Sequence, residues 1–358
     1  MPKISGGSVN CSASNPSLSM NVKHKRKIDN RNTYMKNVDA LPISGTFLDE
    51  ISHDIPHQNW GYSEWEKDFR SMKNAGIDTV IMIRCGMRRW MTYPSKILSE
   101  QENCHMPSMD LVKLFLTLSE KYSMSFYFGT YDSNHYWEHK EHEKEIELSM
   151  RVAEEVWKLY GSSTAFKGWY LCWETDSLAR TPEIASLYSR IGRHCKELSG
   201  GLPVVISPYI DGCKNVSQYS SQLKNGCGSI STAQHEKDWD FIMSTIKGAV
   251  DVVAFQDGHV EFSELKDFLT VNKKLADRHG LRCWTNSETF DRDMPIKFLP
   301  IKWEKLLLKL KAAKEAGIEK AITFEFSHFM SPNSCYLQAH GLYGRHAEYF
   351  GFSDELYL

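Results

Sequence analysis

The chain alternates between short apolar runs and longer segments in which apolar residues recur every three or four positions. The short runs fall at 43–48, 79–83, 125–129, 168–173, 203–207, 250–255, 282–285 and 321–326. They are rich in Val, Ile, Phe and Tyr and continuous rather than alternating. That pattern predicts strands covered on both faces, as in a parallel sheet. Between them lie segments with helical spacing. "SEWEKDFRSMKNAG" puts Trp65, Phe69 and Met72 on one face and stops at a glycine. "SMDLVKLFLTLSEKYS" and "EKEIELSMRVAEEVWKLYG" repeat the pattern. "TPEIASLYSRIGRHCKELSGG" opens with an N-capping threonine and a proline at the first helical position. "EKDWDFIMSTIKGA", "FSELKDFLTVNKKLADRHG" and "WEKLLLKLKAAKEAG" follow. After the last run, "RHAEYFGFSDELY" predicts only a short, weak helix.

Eight strand–helix units predict a closed (β/α)8 TIM barrel. An open doubly wound sheet is the competing arrangement, and it would carry a glycine-rich phosphate turn after an early strand. The first run leads instead into "DEISHDIPHQNWG". The opening stretch is different in kind: Ser, Asn, Gly and Lys dominate, and no apolar h-region is present. It reads as a flexible tail over 1–42 rather than a secretory signal, with the barrel as a single domain over 43–358. The basic run KHKRK at 23–27 reads as solvated tail charge.

Composition narrows the picture further. With 41% hydrophobic and 25% charged residues and a formal net charge of −2, the chain gives no electrostatic support for a nucleic-acid partner. No apolar stretch approaches the roughly 20 residues of a membrane span. Nine cysteines without metal-type spacing, several inside apolar runs, suit a reducing compartment, so a cytoplasmic location is expected. Nothing in the sequence calls for a metal or cofactor.

In a barrel the functional groups follow the carboxyl ends of the strands. Those positions hold Asp49, Glu50, His53 and Trp60; Arg84, Arg88, Arg89 and Trp90; Tyr131, Asp132, Asn134, His135 and Trp137; Trp173, Glu174 and Asp176; Tyr209 and Asp211; Gln256, Asp257 and His259; Asn286, Glu288 and Asp291; and Glu325, Ser327 and His328. The opposite ends read as ordinary turns. A ring of carboxylates, aromatics and amides at one mouth predicts a polar, ring-shaped ligand, namely a carbohydrate. Glycosidic cleavage needs one carboxylic acid to protonate the leaving oxygen and a second carboxylate on the other face of the sugar. Glu174 and Glu288 follow the fourth and seventh strands, nearly opposite one another. Trp173 and Trp284 beside them are expected to desolvate the acid, and Arg84 to keep Glu288 ionised. The expected substrate-binding set is Glu50, Trp60, Arg84, Tyr131, Asp132, Trp137, Trp173, Tyr209, Gln256, Asn286 and Glu325. The loop over 210–234, rich in Ser, Gly and Asn, is expected to form a mobile rim.

This constellation resembles the clan-A glycoside hydrolases. More closely, "GTFLDEISHDIPHQNWG" followed by "WEKDFRSMKNAGIDTVIMIR" resembles a bacterial family of glycosyl-hydrolase-like barrels of unassigned function. The resemblance implies an acid/base at Glu174, a nucleophile at Glu288 and a retaining mechanism, with the two carboxyl groups about 5–5.5 Å apart. The clan has asparagine before the acid/base, where this chain has Trp173. Two alternatives stay open: a carbohydrate-binding barrel without chemistry, and a metal-dependent hydrolase using His53, His57, His135 or His328 with Asp49 or Asp132.

Overall fold

The computed structural model describes residues 38–52, 55, 58–176, 181–212, 230–292 and 298–352. Eight parallel strands form its centre: β1 (Ile43–Leu48), β2 (Thr79–Met82), β3 (Ser125–Gly129), β4 (Phe166–Leu171), β5 (Val204–Ile206), β6 (Val252–Gln256), β7 (Arg282–Asn286) and β8 (Lys320–Thr323). They close in sequence order, β8 returning to pair with β1. The (β/α)8 barrel is therefore observed. Its strand limits fall within two or three residues of the apolar runs, β4 starting two residues early at Phe166.

The helices packed outside are α1 (Tyr62–Asn74), α2 (Leu111–Tyr122), α3 (His142–Tyr160), α4 (Thr181–Leu198), α5 (Thr232–Ile246), α6 (Phe262–His279), α7 (Trp303–Glu315) and α8 (Leu337–Phe350). Capping fixes where several begin: Asp110 accepts from Lys113 N at 2.9 Å, and Ser231 from Gln234 N at 3.2 Å. The weak final helix is corrected. It starts well before the stretch that suggested it, and Ala339, Leu342, Tyr343, His346, Ala347 and Phe350 form a buried stripe at helical spacing.

Alternation along each strand sorts the core into two layers. Outward, Phe166 and Trp169 pack with Trp157 of α3, and Phe128 packs against Trp169. Inward, Phe47 meets Tyr170 edge-on with ring centroids 5.0 Å apart, and Tyr127 meets Trp284 at 6.3 Å. Each such buried side chain stabilises the fold by about 1.5–3 kcal/mol.

Residues 1–37 of the expected tail lie outside the described residues. Residues 38–42 lie against the helical layer: Leu41 N donates to Leu310 O, and Lys311 pairs with Asp39 at 2.8 Å. Two small sheets escaped the sequence reading. One joins Trp90–Met91, Gly86–Met87 and Tyr131–Asp132. The other pairs Phe290–Asp291 with Leu299–Pro300. No described helix is long and apolar enough to cross a membrane.

Candidate active site

The same alternation carries polar side chains into the carboxyl-terminal mouth. Tyr170 faces the lumen, and four residues on the same face carries Glu174. Asn286 reaches Ser207 Oγ across the lumen at 3.1 Å, and two residues on comes Glu288. Glu174 is half-buried. It accepts from Gln256 Nε2 at 2.9 Å and from Arg84 Nη2 at 3.2 Å. Gln256 Nε2 also donates to Ser207 O at 2.8 Å. Burial works against the charge on Arg84, but Glu174 and Asp132 overcome it and raise its pKa.

Glu288 is only 2% exposed. Arg292 grips it through two hydrogen bonds, Nε to Oε2 at 2.8 Å and Nη2 to Oε1 at 2.6 Å. Burial pushes the Glu288 carboxyl up, and Arg292 outweighs it, leaving the pKa below the usual range. The expected pairing of Arg84 with Glu288 is thus corrected: Arg84 holds Glu174, while Arg292 folds back over the Phe290 ring to hold Glu288. A Cβ at Gly258 would stand 1.9 Å from Glu288 Oε2, so only glycine leaves room for this carboxylate. Beneath it, Lys309 from α7 pairs with Asp257 at 2.8 Å and donates to Glu288 O, and Asp257 accepts from Glu288 N.

Tyr209 sits among these groups. Burial raises its phenol pKa well above normal, and Glu174, Arg292, Glu288 and Arg84 all act on it. Both carboxylate–arginine pairs therefore lie within electrostatic range of one tyrosine. The Tyr209 ring lies 5.2 Å from that of His259, whose pKa is lowered to about 4 by burial and by Arg292, leaving it neutral near pH 7. Glu50, half-buried after β1, accepts from Gln58 N, and burial raises its pKa to about 7. Asp132 turns one oxygen to Asn134 N at 2.8 Å and exerts its charge on Arg84. Among the described residues, several buried polar atoms here have no hydrogen-bond partner: Asp49 Oδ2, Arg84 Nε, Tyr170 Oη, Trp173 Nε1, Asp257 Oδ2 and Asn286 Oδ1. Buried polar groups are ordinarily satisfied, so these atoms stand out from the rest of the barrel lining.

Other expected site residues serve the scaffold. Glu325 is fully buried, and its oxygens accept from Ser327 N, His328 N and His328 Nδ1, capping a short turn of helix. Tyr131, also fully buried, donates its hydroxyl to Arg88 O at 2.5 Å. Trp60 packs edge-on against Trp65 of α1, and Trp137 lies against His142 at the start of α3. Trp284 is at the wrong end of the barrel to desolvate Glu174 or Glu288. Being early in β7, it lies at the amino-terminal mouth between Arg282 and Lys320. Trp173 keeps its place near Glu174, its carbonyl accepting from Tyr188 Oη at 2.6 Å.

His53 and His57 lie outside the described residues, as does most of the 210–234 rim. His135 is turned to Ser133 O and His328 to Glu325, and no group of three described His, Cys, Asp or Glu residues is arranged to hold a metal. Six described cysteines are free thiols. The sequence reading missed Arg292 as a site residue, though it is the first cation after the seventh strand. It also left His259 and Asp257 out of the binding set and overlooked Lys309.

The chain is thus a closed parallel (β/α)8 barrel that carries carboxylates after its fourth and seventh strands. More narrowly, the chain is a member of the DUF4434 family, a domain of unknown function whose model matches residues 43–336. It is similar to a Bacteroides thetaiotaomicron protein provisionally named an alpha-L-fucosidase, at 51% identity and a TM-score of 0.82 over 94% of this chain and 100% of that one. The endo-beta-1,4-mannanase of Thermotoga petrophila shares the fold at 11% identity and a TM-score of 0.54, over 90% of this chain and 79% of that one. That of Rhizomucor miehei does so at 10% identity and 0.51, over 80% and 86%. No curated protein sequence matches the chain.

Proposed function

We propose that the protein is a retaining glycoside hydrolase acting on O-glycosidic bonds of an oligo- or polysaccharide. The observation that carries this reading is the pair Glu174 and Glu288, each held by its own arginine beside Tyr209. Glu288 suits the nucleophile, because Arg292 keeps it ionised despite burial. Its oxygen attacks the anomeric carbon while Glu174 gives a proton to the departing oxygen. The ionised Glu174 then takes a proton from water, whose oxygen attacks the same carbon and releases the Glu288 ester. For the first step Glu174 must be protonated. A bound sugar favours this by excluding water and by competing for the Arg84 guanidinium. In this reading Asn286, Gln256 and Tyr209 would hold sugar hydroxyls, and the Bacteroides relative's provisional name is in keeping with such a substrate.

The test is proton NMR of the first anomer released from a substrate found by screening polysaccharides for new reducing ends. A product of retained configuration is expected, and an inverted product removes the role given to Glu288. A second reading, carbohydrate binding without turnover, draws on the neutralisation of both carboxylates by arginine and on Trp173 standing where the clan has asparagine. Reducing-end release that persists unchanged in Glu174→Gln would reject the pair altogether.

A further inference from the structure

The small sheet beside the site leaves one large side chain with no use in the fold. Trp90 is 61% exposed, and Met106 close by is 64% exposed. The Trp90 ring is braced by His105 at 4.9 Å. An exposed tryptophan on a loose loop would mean little, but this ribbon is tied down. The Arg88 carbonyl accepts from Tyr131 Oη and from Cys104 Sγ, Arg88 N donates to Asp132 O, and Arg89 Nε donates to Asn103 O. Arg88 has a φ of 54°, a left-handed conformation uncommon outside glycine. A Cβ at Gly86 would meet Trp90 O at 2.8 Å, so the strands close up only over a glycine. The ribbon is a rigid mount.

Its orientation follows from strand register. Met87 pairs with Trp90 on one side and with Asp132 on the other. Paired residues in neighbouring strands present side chains on one face, so Trp90, Met87 and Asp132 form a row. That row faces the site: Arg84 Nη1 lies 3.3 Å from Met87 Sδ, while its Nη2 reaches Glu174. The line therefore runs from Glu174 through Arg84 and Met87 to Trp90. Trp90 stands one strand spacing, about 5 Å, outboard of Met87.

Charge adds the second observation. Arg88 and Arg89 are both exposed beside Trp90. Among the described residues neither makes an ion pair, so both charges are open to an anion. A flat indole next to two exposed guanidinium groups without an acidic partner, one of them anchored through Nε to Asn103 O, matches a sugar ring bearing a carboxylate: the ring stacks on the face, and the carboxylate meets the outward N–H groups.

We infer that the Trp90 ribbon is an outlying subsite for a uronate residue of the same oligosaccharide chain whose scissile bond lies between Glu174 and Glu288. The inference rests on the glycosidase reading for the direction of the chain, but its test is binding rather than turnover. Calorimetric titration of the Glu174→Gln protein with hexagalacturonate, with cellohexaose as neutral control and a sulfated galactan hexasaccharide as the other anion, reads it. Tighter binding of hexagalacturonate than of either control is expected. Trp90→Ala should weaken its binding about tenfold. The double variant Arg88→Ala, Arg89→Ala should do so by a similar factor at low salt, and less as salt rises. Binding that ignores Trp90→Ala, no binding of hexagalacturonate, or a preference for the neutral or sulfated chain would overturn the proposal. The two failures separate: Trp90-dependent binding without hydrolysis by the wild type removes the catalytic reading and leaves the subsite. Hydrolysis through both glutamates with binding indifferent to Trp90 does the reverse.

Discussion

The two mouths of the barrel are built from the same kinds of residue and solve opposite problems. At the amino-terminal mouth Lys320 pairs with Asp78, donates to Thr79 Oγ1 and lies over the Trp284 ring, with Arg282 on the same indole. None of the residues lining that mouth has a buried polar atom without a partner. At the carboxyl-terminal mouth, charges are also paired, as Arg84–Glu174 and Arg292–Glu288, yet partnerless buried atoms gather around them. At one end the polar groups lining a shallow cavity are paired with one another. At the other, among the described residues, several are not. Arginine and carboxylate content alone would not separate them; satisfaction does.

The contrast breaks most sharply at Glu288. Glu288→Ala should lower turnover by about 10⁴-fold or more, with azide restoring part of it, and reducing-end assays measure both. Glu174→Gln should cost about 10²–10⁴-fold, less on aryl glycosides whose leaving groups need no proton. An equal loss from a change at the amino-terminal mouth would end the distinction. There, Trp284→Ala should destabilise by about 3–5 kcal/mol in denaturant unfolding while leaving kcat/KM of the remaining folded protein untouched.

Glu50 offers a finer probe through pH. Its folded pKa, about 7, lies above the ordinary 4.5, so the folded state holds its proton more tightly than the unfolded one. Its stabilising contribution is whole below about 4.5 and is lost as pH rises through about 7. Relative to Glu50→Gln, the wild type should lose stability over that window, as thermal melts at stepped pH will read. A wild type that gains stability over Glu50→Gln as pH rises would contradict the burial assigned to Glu50. The smallest effect belongs to Lys320→Met, whose partner Asp78 is largely exposed, and it should stay within about 1 kcal/mol.

Much of the barrel was legible because strand periodicity is a local property. Runs buried on both faces announced β1 to β8, and position just past a strand end nominated Glu174, Arg84 and Gln256, which the fold joins by hydrogen bonds, together with Glu288. Depth along a strand was less legible. Trp284 and Glu288 share the inward face of one segment, but they sit at opposite mouths. Partnership was not legible at all. Which arginine meets which glutamate depends on how the chain turns after β7, and that turn is fixed by contacts such as Arg292 over Phe290. Tyr131 and Glu325 misled for a related reason: a polar side chain after a strand serves a backbone turn as readily as a substrate, and the sequence pattern is the same. The final helix was undercounted because its two glycines weaken propensity, while its buried stripe carries the packing.

That helix also bears on where this module can be divided. The family's shared segment stops at residue 336, one position before α8 begins. Yet His346 within α8, kept neutral by burial that lowers its pKa to about 3, accepts the Ile43 backbone N–H at the head of β1. Leu41, ahead of the shared segment, is hydrogen-bonded to α7. The structural unit is thus wider than the segment the family model matches. A gene fragment cut to the shared boundaries would carry every glutamate discussed above while leaving β1 unlatched and a stripe of leucine, tyrosine and phenylalanine contacts uncovered. Transplanting this site into another protein means carrying residues 38–352 together.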